Sequence, residues 1–208
     1  MNILLKNAGK KFNRDWIFRN MNYEFSAGTH YAILGPNGSG KSTLLQLLSG
    51  FILPSEGGIS YSNGNGNEIK GEDFFRYIGF SSPYLELLEE FNLEEMVQFH
   101  LGFKKFIGGI TAPEFIGHIG MKNSAGKEIK YYSTGMKQRL RLALAVLSDV
   151  PVVFLDEPLT NLDQGGIDWY NGLIEKYSEG RLFLVCSNNQ PAEFSFCKEK
   201  IDITAYKK

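Results

Sequence analysis

The sequence predicts an α/β fold with a mainly parallel central sheet, and three observations support this. Short apolar runs that suit buried strands alternate with segments of helical periodicity. The run from Pro151 to Leu155 is continuously apolar, as expected of a strand covered on both faces. A glycine-rich loop at residues 35–40 joins one predicted strand directly to a helix.

The elements follow in a simple order. Short segments before residue 26 predict an antiparallel β arm, at 3–5, 16–18 and 21–25. Further strands are predicted at 31–34, 58–62, 77–80, 151–155, 182–186 and 201–204. Helices are predicted from Lys41, at 93–101, from Thr111, at about 134–148 and at 166–177. Turn-forming residues predict a hairpin tip at 63–67.

Composition excludes several classes of protein. The 208 residues suit one α/β domain, and 22 basic against 23 acidic residues leave no basic field for nucleic acid. Cys186 lies in an apolar run and is expected to be a small core residue. The two cysteines, Cys186 and Cys197, suggest no disulfide framework, so a reducing cytosol is predicted. No apolar stretch suits a membrane span or a signal peptide.

The glycine-rich loop matches the phosphate-binding pattern G-x-x-x-x-G-K-[ST]. Glycines let successive N–H groups point inward as an anion nest, and the following helix N-terminus adds positive potential. Lys41 would supply a charge to the β/γ-phosphates and Ser42 a hydroxyl to Mg²⁺. A chance match is disfavoured by the strand before the loop and the helix after it. The predicted ATP-binding residues of this loop are Gly35, Pro36, Asn37, Gly38, Ser39, Gly40, Lys41, Ser42 and Thr43.

Two carboxylates leave the buried strand that ends near Leu155. Asp156 is placed to reach the Mg²⁺ shell, and Glu157 could polarise a water for attack on the γ-phosphate. The alternative is a pair of capping carboxylates at a strand-to-turn corner, which the nearby phosphate loop disfavours.

A second anion-type site precedes the helix predicted at 134, where a hydroxyl, a glycine and a helix N-terminus coincide. Its residues are Ser133, Thr134, Gly135 and Met136. With the phosphate loop before it and Asp156-Glu157 after it, the chain resembles the ATP-binding cassette (ABC) family over essentially its whole length. Residues 158–163 are similar to that family's D-loop.

The resemblance implies a head-to-tail pair of cassettes, either a homodimer or a pair with a paralogous cassette. Ser133 and Gly135 would bind the γ-phosphate held by the partner, and Asp163 would lie at the dimer interface. Phe12 would stack on adenine, the alternative being a core phenylalanine of the β arm. One cassette would span 1–208, with a core at about 1–83 and 130–208 and a helical subdomain at about 84–129.

Three departures from the family pattern affect its chemistry. The signature reads Tyr-Ser-Thr-Gly-Met where the family favours Leu-Ser-Gly-Gly-Gln. The stretch Ser81-Ser82-Pro83-Tyr84 stands where a glutamine loop is expected, and Ser187-Asn188-Asn189 stands where a switch histidine is expected. Asn188 can hydrogen-bond a phosphate but cannot carry an imidazolium charge, so slow turnover is predicted. The three histidines, His30, His100 and His118, are interpreted as solvated or core residues.

The first function predicted is ATP hydrolysis that drives a separate membrane permease, on the inner face of the cell membrane, in a system similar to small exporters of haem or drugs. The alternatives are an ATP-dependent dimerisation switch with little turnover, and a soluble ABC protein of translation or repair. An apolar cluster after the altered glutamine loop could line the permease groove or be ordinary core. That cluster is Tyr84, Leu85, Leu87 and Leu88.

Overall fold

The computed structural model describes residues 1–207 and confirms the α/β class. Its centre is a five-stranded, wholly parallel sheet in the order β6-β7-β8-β3-β9. These strands are β3 (His30–Leu34), β6 (Ile78–Ser81), β7 (Val152–Asp156), β8 (Leu182–Ser187) and β9 (Glu199–Asp202). The carboxyl ends of β3, β7 and β8 therefore lie side by side, where parallel α/β sheets place their sites.

The sheet is buried on both faces. Along β7, Val153 and Leu155 face one apolar cluster, whereas Val152 and Phe154 face the other. The first cluster contains most of the helices, and the second contains the arm and the helix after the phosphate loop. This double burial is the physical reason why the strand reads as an unbroken apolar run.

The β arm is a second, antiparallel sheet in the order β2-β1-β4-β5. Its strands are β1 (Asn2–Phe12), β2 (Asp15–Phe25), β4 (Glu56–Ser62) and β5 (Glu68–Ile69). The three short segments predicted before residue 26 are in fact two long strands. The pairing of β1 with β2 shifts register near Ala8 and Lys10, and Asn7 and Asn20 have positive φ. These irregularities break the alternation on which the prediction relied.

Six α-helices complete the part of the chain that the structure describes, residues 1–207. They are α1 (Lys41–Leu48), α2 (Leu93–Leu101), α3 (Ala112–His118), α4 (Thr134–Val146), α5 (Gln164–Tyr177) and α6 (Pro191–Phe194). The predicted capping pairs are present, since Asn92 with Glu95 opens α2 and Thr111 with Glu114 opens α3. In the part of the chain described, no helix is both long and apolar enough to cross a membrane.

The C-terminal region differs from its prediction. The last strand is Glu199–Asp202, and Ile203–Tyr206 is a 3₁₀ helix, so the strand predicted at 201–204 ends two residues early. Asp202 starts the 3₁₀ turn because its carboxylate accepts from the Thr204 N–H. The four-residue helix α6 was not predicted, since it is too short to show a periodicity.

Candidate active site

A cleft opens at the carboxyl ends of β3 and β7, and it collects the predicted phosphate loop and both predicted carboxylates. Lys41 and Ser42 start α1 on one wall, and Asp156 and Glu157 leave β7 on the other. The lining residues are Ile17, Asn37, Gly38, Gly40, Lys41, Ser42, Thr43, Pro83, Tyr84, Asp156 and Glu157. Residues that lie far apart in sequence thus line the same polar cleft.

Gly40 shows why the phosphate loop needs glycine. It is the N-cap of α1 with φ 103°, and a Cβ built there would lie 2.3 Å from Ile17 Cγ2. No side chain caps the N-terminus of α1. The first N–H groups of this helix therefore remain open to an anion in the cleft.

Lys41 is buried at the base of the loop. Its Nζ donates to the carbonyl oxygens of Gly35 at 2.9 Å and Pro36 at 3.2 Å. Only 5% of the residue is exposed. The ammonium is held by the backbone of the same loop that presents the anion nest, so a phosphate entering the cleft would meet a fixed cation.

Asp156 is suited to hold a cation. One carboxylate oxygen, Oδ1, is buried without a hydrogen-bond partner in the described chain, while Oδ2 accepts from the Ser82 hydroxyl at 3.4 Å. Burial raises the pKa of the Asp156 carboxyl, and the nearby Ser42 hydroxyl opposes that rise. An orphan carboxylate oxygen beside a serine hydroxyl fits the all-oxygen ligand preference of a hard divalent ion.

Glu157 has a constrained backbone at the end of β7. Its φ is 45°, in the left-handed region that is uncommon for residues other than glycine, and its N–H donates to the Cys186 carbonyl at 2.9 Å. This geometry turns the chain out of the sheet at the cleft. Asn188 follows the neighbouring strand β8 and is exposed, but it does not line the cleft.

Phe12 lies at the end of β1 and is not a core residue. It is 48% exposed, so the interpretation as a core phenylalanine of the arm is wrong. The Lys10 ammonium lies 5.2 Å from the ring centroid. The ring thus has surface free for stacking, as adenine binding requires, and no described contact joins it to the cleft.

A separate cavity of about 460 Å³ surrounds the predicted signature. It is lined by Gly120, Met121, Asn123, Ser124, Ser133, Thr134, Gly135, Met136, Arg139, Asn161, Leu162 and Asp163. Ser133 is the N-cap of α4, and its Oγ accepts from the Met136 N–H at 3.2 Å. Asp163 caps α5 by accepting from the Gly166 N–H at 2.8 Å.

The segment 158–163, called the D-loop segment below, packs directly against the signature. A Cβ built on Gly135 would lie 2.8 Å from the Asn161 carbonyl oxygen, so only glycine fits this approach. From α4, the buried Gln138 donates through Nε2 to the Pro158 carbonyl at 3.0 Å. The D-loop segment is therefore fixed to the helix that carries the signature.

Sequence reasoning did not predict the contacts that Ile17, Ser82 and Gln138 make in these sites. Ser82 follows β6, whose register with β7 places Ser81 beside Leu155 and hence Ser82 next to Asp156. That proximity follows from strand order, which the sequence does not state. His30, His100 and His118 line neither the cleft nor the signature cavity.

The fold and the cleft together define a class: a phosphate-loop ATPase with an acidic strand end facing its anion nest. Residues 18–160 match the family model described as ABC transporter. The chain belongs to the ABC transporter family, as an ATP-binding subunit with the ATPase machinery of that family. Members of this family use ATP together with a divalent metal.

Named relatives agree with this assignment. An uncharacterized ABC transporter ATP-binding protein, YybJ of Bacillus subtilis, is 29% identical, covering 92% of this chain and 87% of the relative. The lantibiotic transport ATP-binding protein SrtF of Streptococcus pyogenes is 30% identical, covering 88% and 79%. The cytochrome c biogenesis ATP-binding export protein CcmA of Rhizobium meliloti is 25% identical, covering 99% of both chains.

Solved structures show the same fold. An ATP-binding subunit of an ABC transporter superposes with a TM-score of 0.82 at 22% identity, covering 97% of this chain and 85% of that one. The dimeric cassette MJ0796 superposes with a TM-score of 0.81 at 22% identity, covering 96% and 93%. At these identities the likeness concerns the architecture alone.

Proposed function

We propose that this chain binds Mg²⁺-ATP in the cleft and hydrolyses it in a head-to-tail dimer that drives a membrane permease. The observation that carries the proposal is the meeting of Lys41, Ser42, Asp156 and Glu157 in one cleft at an uncapped helix N-terminus. Residues Gly35 to Thr43 would hold the phosphates, with Phe12 stacking on the base.

The metal we propose is Mg²⁺, held through Ser42 and Asp156. Bound there, it would supply positive charge to the phosphate oxygens during transfer. The chain itself holds the metal-binding carboxylate in place. The Ser82 hydroxyl fixes one oxygen of Asp156 and leaves the other oxygen free for the metal.

Glu157 is the residue we assign to the attacking water, which it would orient and deprotonate. Asn188 would hydrogen-bond the γ-phosphate in place of a histidine, without that residue's charge. We assign the helical subdomain to about residues 84–129, which lie in the chain between the phosphate loop and the signature.

Dimerisation is supported by the separation of the two sites. The cleft and the signature cavity share no lining residue. The signature cavity nevertheless presents the N-terminus of α4, with Ser133, Thr134, Gly135 and Met136 around it. An anion site of this kind, apart from the chain's own phosphate loop, is what a γ-phosphate held by a second copy or a paralogous cassette would need.

Turnover tests this proposal directly. We expect the purified protein to hydrolyse Mg²⁺-ATP slowly, and Lys41→Ala to lose at least about 100-fold of that rate because the phosphates lose their fixed cation. Chelating the divalent metal should abolish turnover as well. Lys6→Ala, an exposed lysine of β1, is the matched control and should hydrolyse ATP at the wild-type rate. Equal rates for the wild type and Lys41→Ala would contradict the proposal.

The permease would dock in a groove between the sheet and α2. Apolar side chains rim it, including Phe51, Phe75 and Leu85, which are 52%, 51% and 38% exposed. Of the apolar cluster considered above, Leu87 is buried and Tyr84 is 87% exposed, so the cluster is neither wholly core nor wholly surface. An apolar groove between the sheet and α2 suits a short helix from a membrane protein.

Two cationic side chains, Lys104 and Arg141, and one carboxylate, Glu86, line this groove, so its net charge favours an acidic helix. Lys104 is half-buried, donates to the Ile78 carbonyl, and has no carboxylate within ion-pair distance in residues 1–207. Burial lowers the pKa of His100 to about 4, so this neighbour is neutral at physiological pH. An acidic residue on the docking helix would offset the unpaired ammonium of Lys104.

Site-specific crosslinking tests the docking. Cys186 and Cys197 are both buried, so an exposed cysteine can be labelled selectively. We expect a photo-crosslinker on Phe75→Cys to capture, from native membranes, a protein that mass spectrometry identifies as having several membrane spans. The same reagent on Phe103→Cys, which is 71% exposed and outside the groove, should not capture it. Equal capture from both positions would refute the groove.

Further proposals follow from the relatives. The named functions of SrtF and CcmA are lantibiotic transport and export. We therefore propose a small export system, with the cassette on the inner face of the cell membrane.

The second candidate function is an ATP-dependent dimerisation switch with little turnover. It is favoured by Ser82 and Asn188, which stand where the family has catalytic side chains.

A further inference from the structure

Glu193 is a buried carboxylate that the proposed chemistry does not use. It lies in the short helix α6, and only 2% of it is exposed. Its Oε1 accepts from the Leu159 N–H at 3.2 Å, and Leu159 belongs to the D-loop segment. A buried carboxylate is costly unless its hydrogen bonds are satisfied, so this contact is a specific feature of the fold.

The same glutamate is anchored to the segment that follows β8. The Tyr170 hydroxyl of α5 donates to the Glu193 backbone carbonyl at 2.9 Å, which fixes α6. The Ser187 hydroxyl, at the end of β8, accepts from the Gln190 N–H at 3.1 Å and starts the turn into α6. Burial raises the pKa of Glu193, and the nearby Ser187 hydroxyl and the hydrogen bond from the Leu159 N–H oppose that rise.

The Glu193 side chain therefore joins two loops, the D-loop segment and the loop after β8 that contains Asn188. Asn188, which we assign to the γ-phosphate, lies between Ser187 and Glu193 in the chain. Leu159 belongs to the D-loop segment, which reaches Asn161 and Asp163 in the signature cavity. On its other side the segment is held by Gln138, so its position is set between α4 and α6.

We propose that Glu193 is a positioning residue, which sets the D-loop segment relative to the Asn188 loop and so aligns the signature cavity for the nucleotide held by the partner. This inference rests on the proposed ATP-driven dimer. Glu193 does not touch the nucleotide in this scheme. Its carboxylate acts through the Leu159 N–H, and a hydrogen-bond acceptor of the same shape would suffice.

The test compares Glu193→Ala with Glu193→Gln, whose amide oxygen can still accept from Leu159. Tyr170→Phe is the matched structural control, because it loosens α6 without removing the carboxylate. We expect Glu193→Ala to lower kcat about tenfold or more, since a small misplacement of site residues costs this much. Its KM for ATP should stay within about twofold of the wild type, because the cleft is untouched. Glu193→Gln and Tyr170→Phe should keep a kcat within about threefold of the wild type.

Hydrogen exchange measures the contact itself, without nucleotide. The peptide containing Leu159 should exchange faster in Glu193→Ala than in the wild type, Glu193→Gln or Tyr170→Phe. Unchanged exchange, a kcat no lower than that of Tyr170→Phe, or a KM that rises in step with the fall in kcat would overturn the proposal. A fall in kcat that is as large in Glu193→Gln as in Glu193→Ala would also overturn the proposal.

The experiment separates this inference from the proposed function. If the wild type hydrolyses ATP no faster than Lys41→Ala, the proposed hydrolysis fails. The role of Glu193 is then decided by exchange at Leu159 and by ATP-dependent dimerisation measured in the Glu157→Gln background. Weaker dimerisation with faster exchange in Glu193→Ala supports positioning, and no change in either refutes it.

Discussion

Glu157→Gln is expected to bind Mg²⁺-ATP, form a stable dimer and hydrolyse essentially nothing. Glu157 lines the cleft at the end of β7 and is the group that we assign to the water. Removing its basicity should cost at least about 100-fold in rate, the usual contribution of a general base. The isosteric amide preserves the shape of the cleft. The ATP-bound dimer, which hydrolysis would otherwise dissolve, should therefore accumulate.

Size-exclusion chromatography with light scattering measures that dimer, and phosphate release measures the turnover. Glu175→Gln, an exposed glutamate of α5, is the matched control and should behave like the wild type. Lys41→Ala should form no ATP-dependent dimer. If the wild type itself traps unhydrolysed ATP in a dimer as stably as Glu157→Gln, the dimerisation switch is the correct function.

Of the substitutions considered, Arg181→Ala is expected to lower the free energy of unfolding the most. The guanidinium is buried just before β8 and donates to four backbone carbonyls, those of Val146, Ser148, Val150 and Tyr177. Val146 and Tyr177 are the last residues of α4 and α5, whose terminal carbonyls have no partner within their helices. One side chain thus caps two helices and a turn, and burial lowers its pKa to about 10.

Removing it should lower the free energy of unfolding by about 3 kcal/mol, because buried carbonyls lose their donor. That corresponds to a fall in Tm of roughly 6–12 °C for a chain of this size. Arg181→Lys should be intermediate, since an ammonium lacks the planar fork. Circular dichroism during heating measures the effect. Arg14→Ala, an exposed arginine between β1 and β2, is the control, and an equal Tm for both alanine variants would refute this account.

Most of the fold could be predicted because its signals are local. In α2 and in α3, the two residues of the capping pair are only three positions apart in the sequence. The continuous apolar run of β7 likewise indicates by itself that the strand is buried. The β arm was fragmented in the prediction, because register shifts near Ala8 and positive φ at Asn7 and Asn20 interrupt its alternation. The helix α6 has four residues, too few for a period to show.

The sequence by itself determined the class of the protein, the phosphate loop and the carboxylates after β7, because their spacing encodes chemistry along one continuous stretch. Their meeting in one cleft was expected from the parallel order of strands. Only the tertiary structure decided the contacts between stretches, such as Ser82 with Asp156 and Glu193 with Leu159. Such contacts depend on strand order and on loop paths, and no periodicity in the chain records them.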